Sequence, residues 1–234
     1  MNDMSALYDR NSPARPNASL IPAGVSDHLS VVSSGITSGE PVLAWLERIL
    51  LERFGVPLRL ERDGPERLYL RHADAPGHDL FDRLQPGFYL AGGDLPHTQW
   101  DATSEGYRAP LGMPLPAPGA ASLPRPLVEP IADGLAIHYD ILGLTYWMLS
   151  RQEEVDPQVL DRHCRFPASA SHAGRYGYLE RPVVDEWLAV LGQAIQRQWP
   201  WVVLRQHEFT QRPTHDVDRP SRYGFARDVK LARA

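Results

Sequence analysis

Proline is the residue that most limits what this chain can build. It occurs 22 times, against 18 glycines. Each proline fixes its own φ and removes a backbone donor, so many fixed turns and long ordered loops must separate short regular elements. Seven prolines fall between Pro110 and Pro130 with apolar residues interleaved, so an ordered meander is expected there rather than a linker.

Between these breaks the hydrophobic spacing marks regular structure. From Glu40 to Phe54, the positions of Val42, Leu43, Leu46, Ile49, Leu50 and Phe54 follow the 3.6-residue period of an amphipathic helix. Ser38 suits its N-cap and Gly55 its stop, with Pro57 just beyond. Alternation at Leu58–Arg62 and again at Leu68–Leu70, around Asp63-Gly64, predicts a hairpin. Phe88–Ala91 reads as a short buried strand before a Gly92-Gly93-Asp94 turn. The stretch from Asp133 to Ser150 is apolar on more than one face and predicts a buried helix. Pro182 is expected at the first position of a further helix that Pro200 closes. Trp201–Leu204 then reads as a strand, and Phe225 and Val229 mark a short helical tail. Helices alternating with short strands place the chain in the α/β class. The expected organisation is a flexible arm over residues 1–38, an α/β domain over 39–207, and the start of a further unit over 208–234.

Apolar residues make up 43% and charged residues 23%, enough for a sizeable core. A net charge of −5 and a pI near 6.0 argue against the broad basic face of a nucleic-acid binder. Cys164 is the single cysteine. It excludes an intrachain disulfide and a cysteine-based zinc site, and is expected to be a small packed residue. The polar start carries no apolar leader, and no run of 18 apolar residues occurs, so neither a signal peptide nor a membrane span is expected. The expected compartment is the cytoplasm.

The sharpest chemical signal is Thr214-His215-Asp216-Val217-Asp218. Acids at i and i+2 share one face of an extended segment, and their mutual repulsion suits a divalent cation beside them. One acid would bind the metal and the other could take a proton from water. The alternative is that Asp218 caps a following helix and Asp216 is merely solvated; His215 faces the other way. A second charged group comprises Ser150–Glu154 and Asp161–Phe166. Arg151 and Arg165 are placed to pair with Glu153, Glu154 or Asp161, and a structural ion-pair network is favoured over ligand binding. The remaining histidines show no ligand spacing. No G-x-S-x-G, P-loop or G-x-G-x-x-G occurs.

Five blocks carry a family resemblance: Tyr139–Gly143, Leu149–Glu154, Asp161–Phe166, Gly177–Asp185 and Thr214–Asp218. In that order, over about residues 130 to 225, they resemble bacterial polysaccharide deacetylases of the surface-glycan type. The resemblance implies an uncharacterised α/β domain ahead of a distorted (β/α)-barrel deacetylase domain, whose first strand ends at the acid pair. It implies Asp216 as general base and Asp218 as ligand of a divalent metal, usually zinc. Val217 separates acids that the family more usually has adjacent, so the two roles could be exchanged. The implied substrate is an N-acetylated sugar or polysaccharide of lipopolysaccharide or capsule biosynthesis, and the products are a free amino sugar and acetate. The family's two metal-binding histidines lie well downstream of this motif, whereas 16 residues follow Asp218. The chain as given is therefore expected to be an accessory domain plus the opening strand and helix of a catalytic domain, and inactive alone.

Two rivals remain. One is a non-catalytic glycan-binding or partner-docking module, with Trp100, Tyr107, Tyr176 or Tyr178 as sugar-stacking rings and Trp147, Trp187 and Trp199 in the core. The other is a glycosyltransferase whose D-x-D holds a divalent ion against a nucleotide diphosphate. The oligomeric state is open.

Overall fold

The computed structural model describes residues 41–63, 67–72, 79–83, 88, 94–132, 134–155 and 159–214. The expected arm, the Ser38 cap, the Gly92-Gly93 turn and the tail helix lie outside these residues.

Helix α1 (Pro41–Phe54) buries Leu43, Leu46, Leu50 and Phe54, as the 3.6-residue spacing requires. It stops at Gly55, whose φ is +72° and whose N–H donates to the Leu51 carbonyl at 2.8 Å. Strands β1 (Leu58–Asp63) and β2 (Arg67–His72) form the expected antiparallel hairpin, with Leu60 opposite Leu70. Leu58, Leu60, Leu68 and Leu70 are buried on one face, while an Arg71–Glu61 ion pair at 2.8 Å occupies the other. Strand β1 is an edge. Glu47 of α1 covers it, accepting from the Leu60 N–H and from Arg59 Nη1, both at 2.9 Å.

The sheet continues through β3 (Asp79–Arg83) in the order β1-β2-β3-β7-β6, with β6 at Val128–Ile131 and β7 at Gly134–Ile137. Only the β3–β7 pair is parallel. A two-stranded sheet pairs β4 (His97–Trp100) with β5 (Leu115–Pro118). Strand β5 lies inside the expected meander and carries two prolines. Their missing N–H groups are tolerated because, among the described residues, β5 pairs only with β4 and its other edge carries no ladder. The Pro116 carbonyl accepts from Trp187 Nε1–H at 2.7 Å, and the Pro118 carbonyl from the Tyr139 hydroxyl at 2.8 Å.

The single helix expected over residues 133–150 is a correction: β7 is followed by a shorter helix, α2 (Ile141–Leu149). Leu135 and Ile137 stand two apart, the spacing of a strand, and Asp140 is a helix start. Fully buried, it accepts from the Gly143 N–H through Oδ1 at 2.6 Å. Gly143 must be glycine here, because a Cβ would lie 2.2 Å from Asp140 Oδ2.

A short helix, α3 (His172–Arg175), precedes α4 (Val183–Gln198), which Pro182 caps from just outside its first turn. Helix α4 packs on β5, β7 and α2, and α1 packs on β1 and α2. Trp187 and Trp199, fully buried, and Trp147, nearly so, lie in the core as expected. The unit is thus a mixed α/β fold.

Three further expectations are corrected. Trp201–Leu204 does alternate, with Val202 and Leu204 buried and Trp201 and Val203 exposed, but it forms no strand. Phe88 is buried and is itself not in a strand, and the rest of that expected strand, residues 89–91, lies outside the described residues. Residues 208–214 carry no regular structure, so the expected opening strand has no ladder here. Among the described residues no helix is long and apolar enough to cross a membrane.

Candidate functional site

Asp216 and Asp218 lie outside the described residues, which end at Thr214. The segment leading to them is defined. After α4 the chain crosses to the C-terminal end of α1, where a helix leaves its last carbonyls without partners. Arg205 N–H donates to the Phe54 carbonyl at 2.7 Å and Arg205 Nη1 to that of Glu52 at 3.0 Å. His207 Nε2 donates to the Arg53 carbonyl at 2.7 Å. Basic side chains are favoured at this negative helix end. A Cβ on Gly55 would come within 3.0 Å of the Arg205 Cβ, so the glycine also admits this strap. Past His207, residues 208–214 are all exposed.

The expected ion-pair cluster is instead two local pairs. Arg151 binds Glu154 through both its Nε, at 2.7 Å, and its Nη2. Arg165 meets Asp161 at 3.4 Å, and Asp161 also accepts from the N–H groups of His163 and Arg165. That turn puts Cys164 at φ +57° and exposes its thiol, which corrects its expected packed position. Glu153 joins neither pair. Its carboxylate accepts from the His172 N–H at 2.8 Å.

The sugar-stacking expectation is also corrected. Trp100, Tyr107 and Tyr178 are buried, and of the four named rings only Tyr176, 41% exposed, is open. Large rings contribute most where they lose most water contact. Trp100 stacks on Trp187, and Tyr107 lies beneath the Arg197 guanidinium at 3.7 Å.

A histidine–tyrosine cluster emerges that no motif announced. His172, 1% exposed, has both ring nitrogens engaged. Its Nε2 faces the Leu95 carbonyl at 3.0 Å and must carry the proton, since a carbonyl only accepts. Nδ1 therefore accepts from the Tyr178 hydroxyl. His97 stacks on Tyr178 and Tyr176 and meets His172 edge-on at 5.8 Å. Outside, Arg175 pairs with Asp94 at 2.7 Å.

Burial lowers the His172 pKa to about 4, with the Leu95 hydrogen bond pulling the other way. Burial also lowers the pKa of His97 and raises those of Tyr178 and Glu153. With its one lone pair taken by Tyr178, His172 has none for a metal or a substrate proton. The cluster is a neutral clamp tying residues 94–97 and Glu153 to α3. Among the described residues, no group of three or more His, Cys, Asp and Glu could hold a metal ion.

The clamp has a pH consequence. His172 titrates near 6.5 when unfolded and near 4 when folded, so the unfolded chain binds the extra proton between those values. Stability is complete above pH 6.5 and is lost toward pH 4, with a slope approaching about 1.4 kcal/mol per pH unit. The lowered His97 acts in the same sense and adds to the slope, while the raised Glu153 acts in the opposite sense and offsets part of it. Urea unfolding at pH 7.5, 6 and 5 should show the decline, and His172→Phe should flatten it while costing about 1–3 kcal/mol at pH 7.5. An unchanged slope in His172→Phe would assign the acid sensitivity to another group.

Compared with known proteins, residues 99–200 match the model of a family of unknown function (DUF7033). The match is shorter than half of the chain and runs from within β4 through α4; it takes in Glu153, His172 and Tyr178 of the clamp but not Asp94, Leu95 or His97. No curated protein and no solved structure matches the chain.

Proposed function

We propose that this chain is the N-terminal part of a metal-dependent N-deacetylase of N-acetylated sugars or polysaccharides, acting in surface-polysaccharide biosynthesis. In this reading the α/β unit is an accessory domain. Asp216 and Asp218 belong to the first catalytic motif of a (β/α)-barrel domain that begins near residue 208. The five sequence blocks supply the chemistry of the reading. What supports the division is the strap: the unit closes where Arg205 and His207 cap α1, residues 208–214 then run out exposed, and the acid pair follows at once.

Among the described residues no group of three or more His, Cys, Asp and Glu could hold a metal ion. The motif offers at most two carboxylates, and such a site takes at least three protein ligands. Within this chain Asp216, or Asp218 with the roles exchanged, would take a proton from the water that attacks an acetamide carbonyl. The other acid would be one ligand among several, and in this reading the family's two metal-binding histidines complete the set. Acetate release from N-acetylated oligosaccharides tests the reading: this chain should release none, and a form continued to carry those donors should.

One observation favours a docking role for the same unit. Trp201, Val203 and Phe209 are 58%, 85% and 92% exposed on the strap and the segment after it, a placement suited to covering by another folded unit.

A further inference from the structure

We propose that the groove between the C-terminal end of α1 and the outward face of α4 binds a small organic anion carrying a phosphate or carboxylate group. This goes beyond the deacetylase reading and does not depend on the role of Asp216 or Asp218.

The groove has a volume of about 540 Å³ and runs between α1, α4, the loop at Arg108–Pro110 and the strap, a size that suits a small ligand. Arg53, Arg108, Arg205 and His207 line it together with the amides of Gln193 and Gln196, and no carboxylate does. Asp185 pairs with Arg53 at 3.4 Å, and the α1 C-terminus adds partial negative charge. The lining itself carries three guanidinium groups and no acidic side chain.

Arg108 carries the inference furthest. The Gln193 side chain clasps its backbone from both sides, accepting from the Arg108 N–H at 2.9 Å and donating to its carbonyl at 3.0 Å. Among the described residues its guanidinium has no partner, so a planar five-donor fork stands fixed at its base and unspent. Arg205 gives one donor to the Glu52 carbonyl and keeps the others. The floor is apolar. Gly192 lets α4 pack closely against it, since a Cβ there would sit 3.1 Å from the Phe54 ring and 3.3 Å from Leu204. A cationic rim over an apolar floor selects an anion attached to a less polar body, such as a sugar ring, over a free inorganic ion.

The test is calorimetric titration of the full chain at low ionic strength with glucose 1-phosphate, glucuronate and glucose. At least one of the two anions should bind, glucose should not, and added NaCl should weaken binding. Binding of glucose 1-phosphate alone assigns the site to phosphate, and of glucuronate alone to carboxylate. Arg108→Gln, an exposed change that keeps the backbone clasp, should weaken binding about tenfold or more. Arg48→Gln, an exposed arginine of α1 outside the groove, should leave it unchanged. Binding of neither anion, equal binding of glucose, or equal weakening by the two variants would overturn the proposal.

Discussion

Replacing Arg181 with methionine should destabilise the protein by about 3–5 kcal/mol, because it leaves the Glu186 carboxylate buried without its countercharge. The two side chains are 14% and 1% exposed. The guanidinium grips the carboxylate at both ends, at 3.1 and 2.7 Å, and gives a third bond to the Pro114 carbonyl at 2.8 Å. It thereby fastens the first turn of α4 to the approach of β5. The double variant Arg181→Met/Glu186→Leu should recover most of the loss, since an apolar pair of similar size avoids the desolvation of both charges. Arg175→Met, which breaks the exposed pair with Asp94, should cost under about 1 kcal/mol. Urea unfolding followed by tryptophan fluorescence separates the three. A cost of Arg181→Met no larger than that of Arg175→Met would mean that water reaches the pair.

Trp187→Ala should come close to abolishing the fold. The ring is fully buried, stacked on Trp100 at 5.3 Å and packed on Tyr139 at 4.4 Å, and its N–H is a donor to β5. Emptying such a site costs about 3–5 kcal/mol. Orphaning the Pro116 carbonyl adds about 1–3 kcal/mol, against a total stability of about 5–15 kcal/mol for an ordinary domain. Trp187→Phe keeps most of the packing and isolates the second term. Trp199 provides the contrast: it is equally buried, but among the described residues its Nε1 has no acceptor. Trp199→Phe should therefore be the milder change, and thermal unfolding of the two phenylalanine variants compares them directly. Equal losses would mean that the bond to β5 contributes nothing.

The parts of this fold legible in the sequence are those set by local chemistry. Helix α1 and its Gly55 stop follow from periodicity and a left-handed backbone position, and the β1–β2 hairpin follows from alternation around a turn. Segmentation failed where two periods abut. Leu135 and Ile137 were absorbed into the helical pattern that follows, although Asp140 ahead of an apolar run was a readable N-cap. Strand β5 was illegible because prolines argue against strands, and only the tertiary fold supplies donors to its outward carbonyls. At Trp201–Leu204 the alternation was right and the pairing absent, since a period says which side chains turn inward but not whether a neighbouring strand exists. Exposure of single aromatics was equally hidden: Trp100 and Tyr107 look available in sequence, and packing from α4 covers both. The His172 clamp joins residues 77 apart in the chain, through Leu95, and no spacing rule reaches that far. The groove depends on Gln193 meeting Arg108 across 85 residues, which is invisible for the same reason.

The central claim, that the acid pair following the strap serves amide hydrolysis, is tested most directly by acetate release. The measurement uses a zinc-loaded form of the chain continued to include further histidine donors, with an N-acetylated oligosaccharide, beside its Asp216→Ala and Asp218→Ala variants. The account predicts release by the parent and a fall of about 10²-fold or more in each variant, the scale of losing a positioned base or a ligand of the reacting centre. Undiminished release in both variants, or no release by the parent, would contradict it.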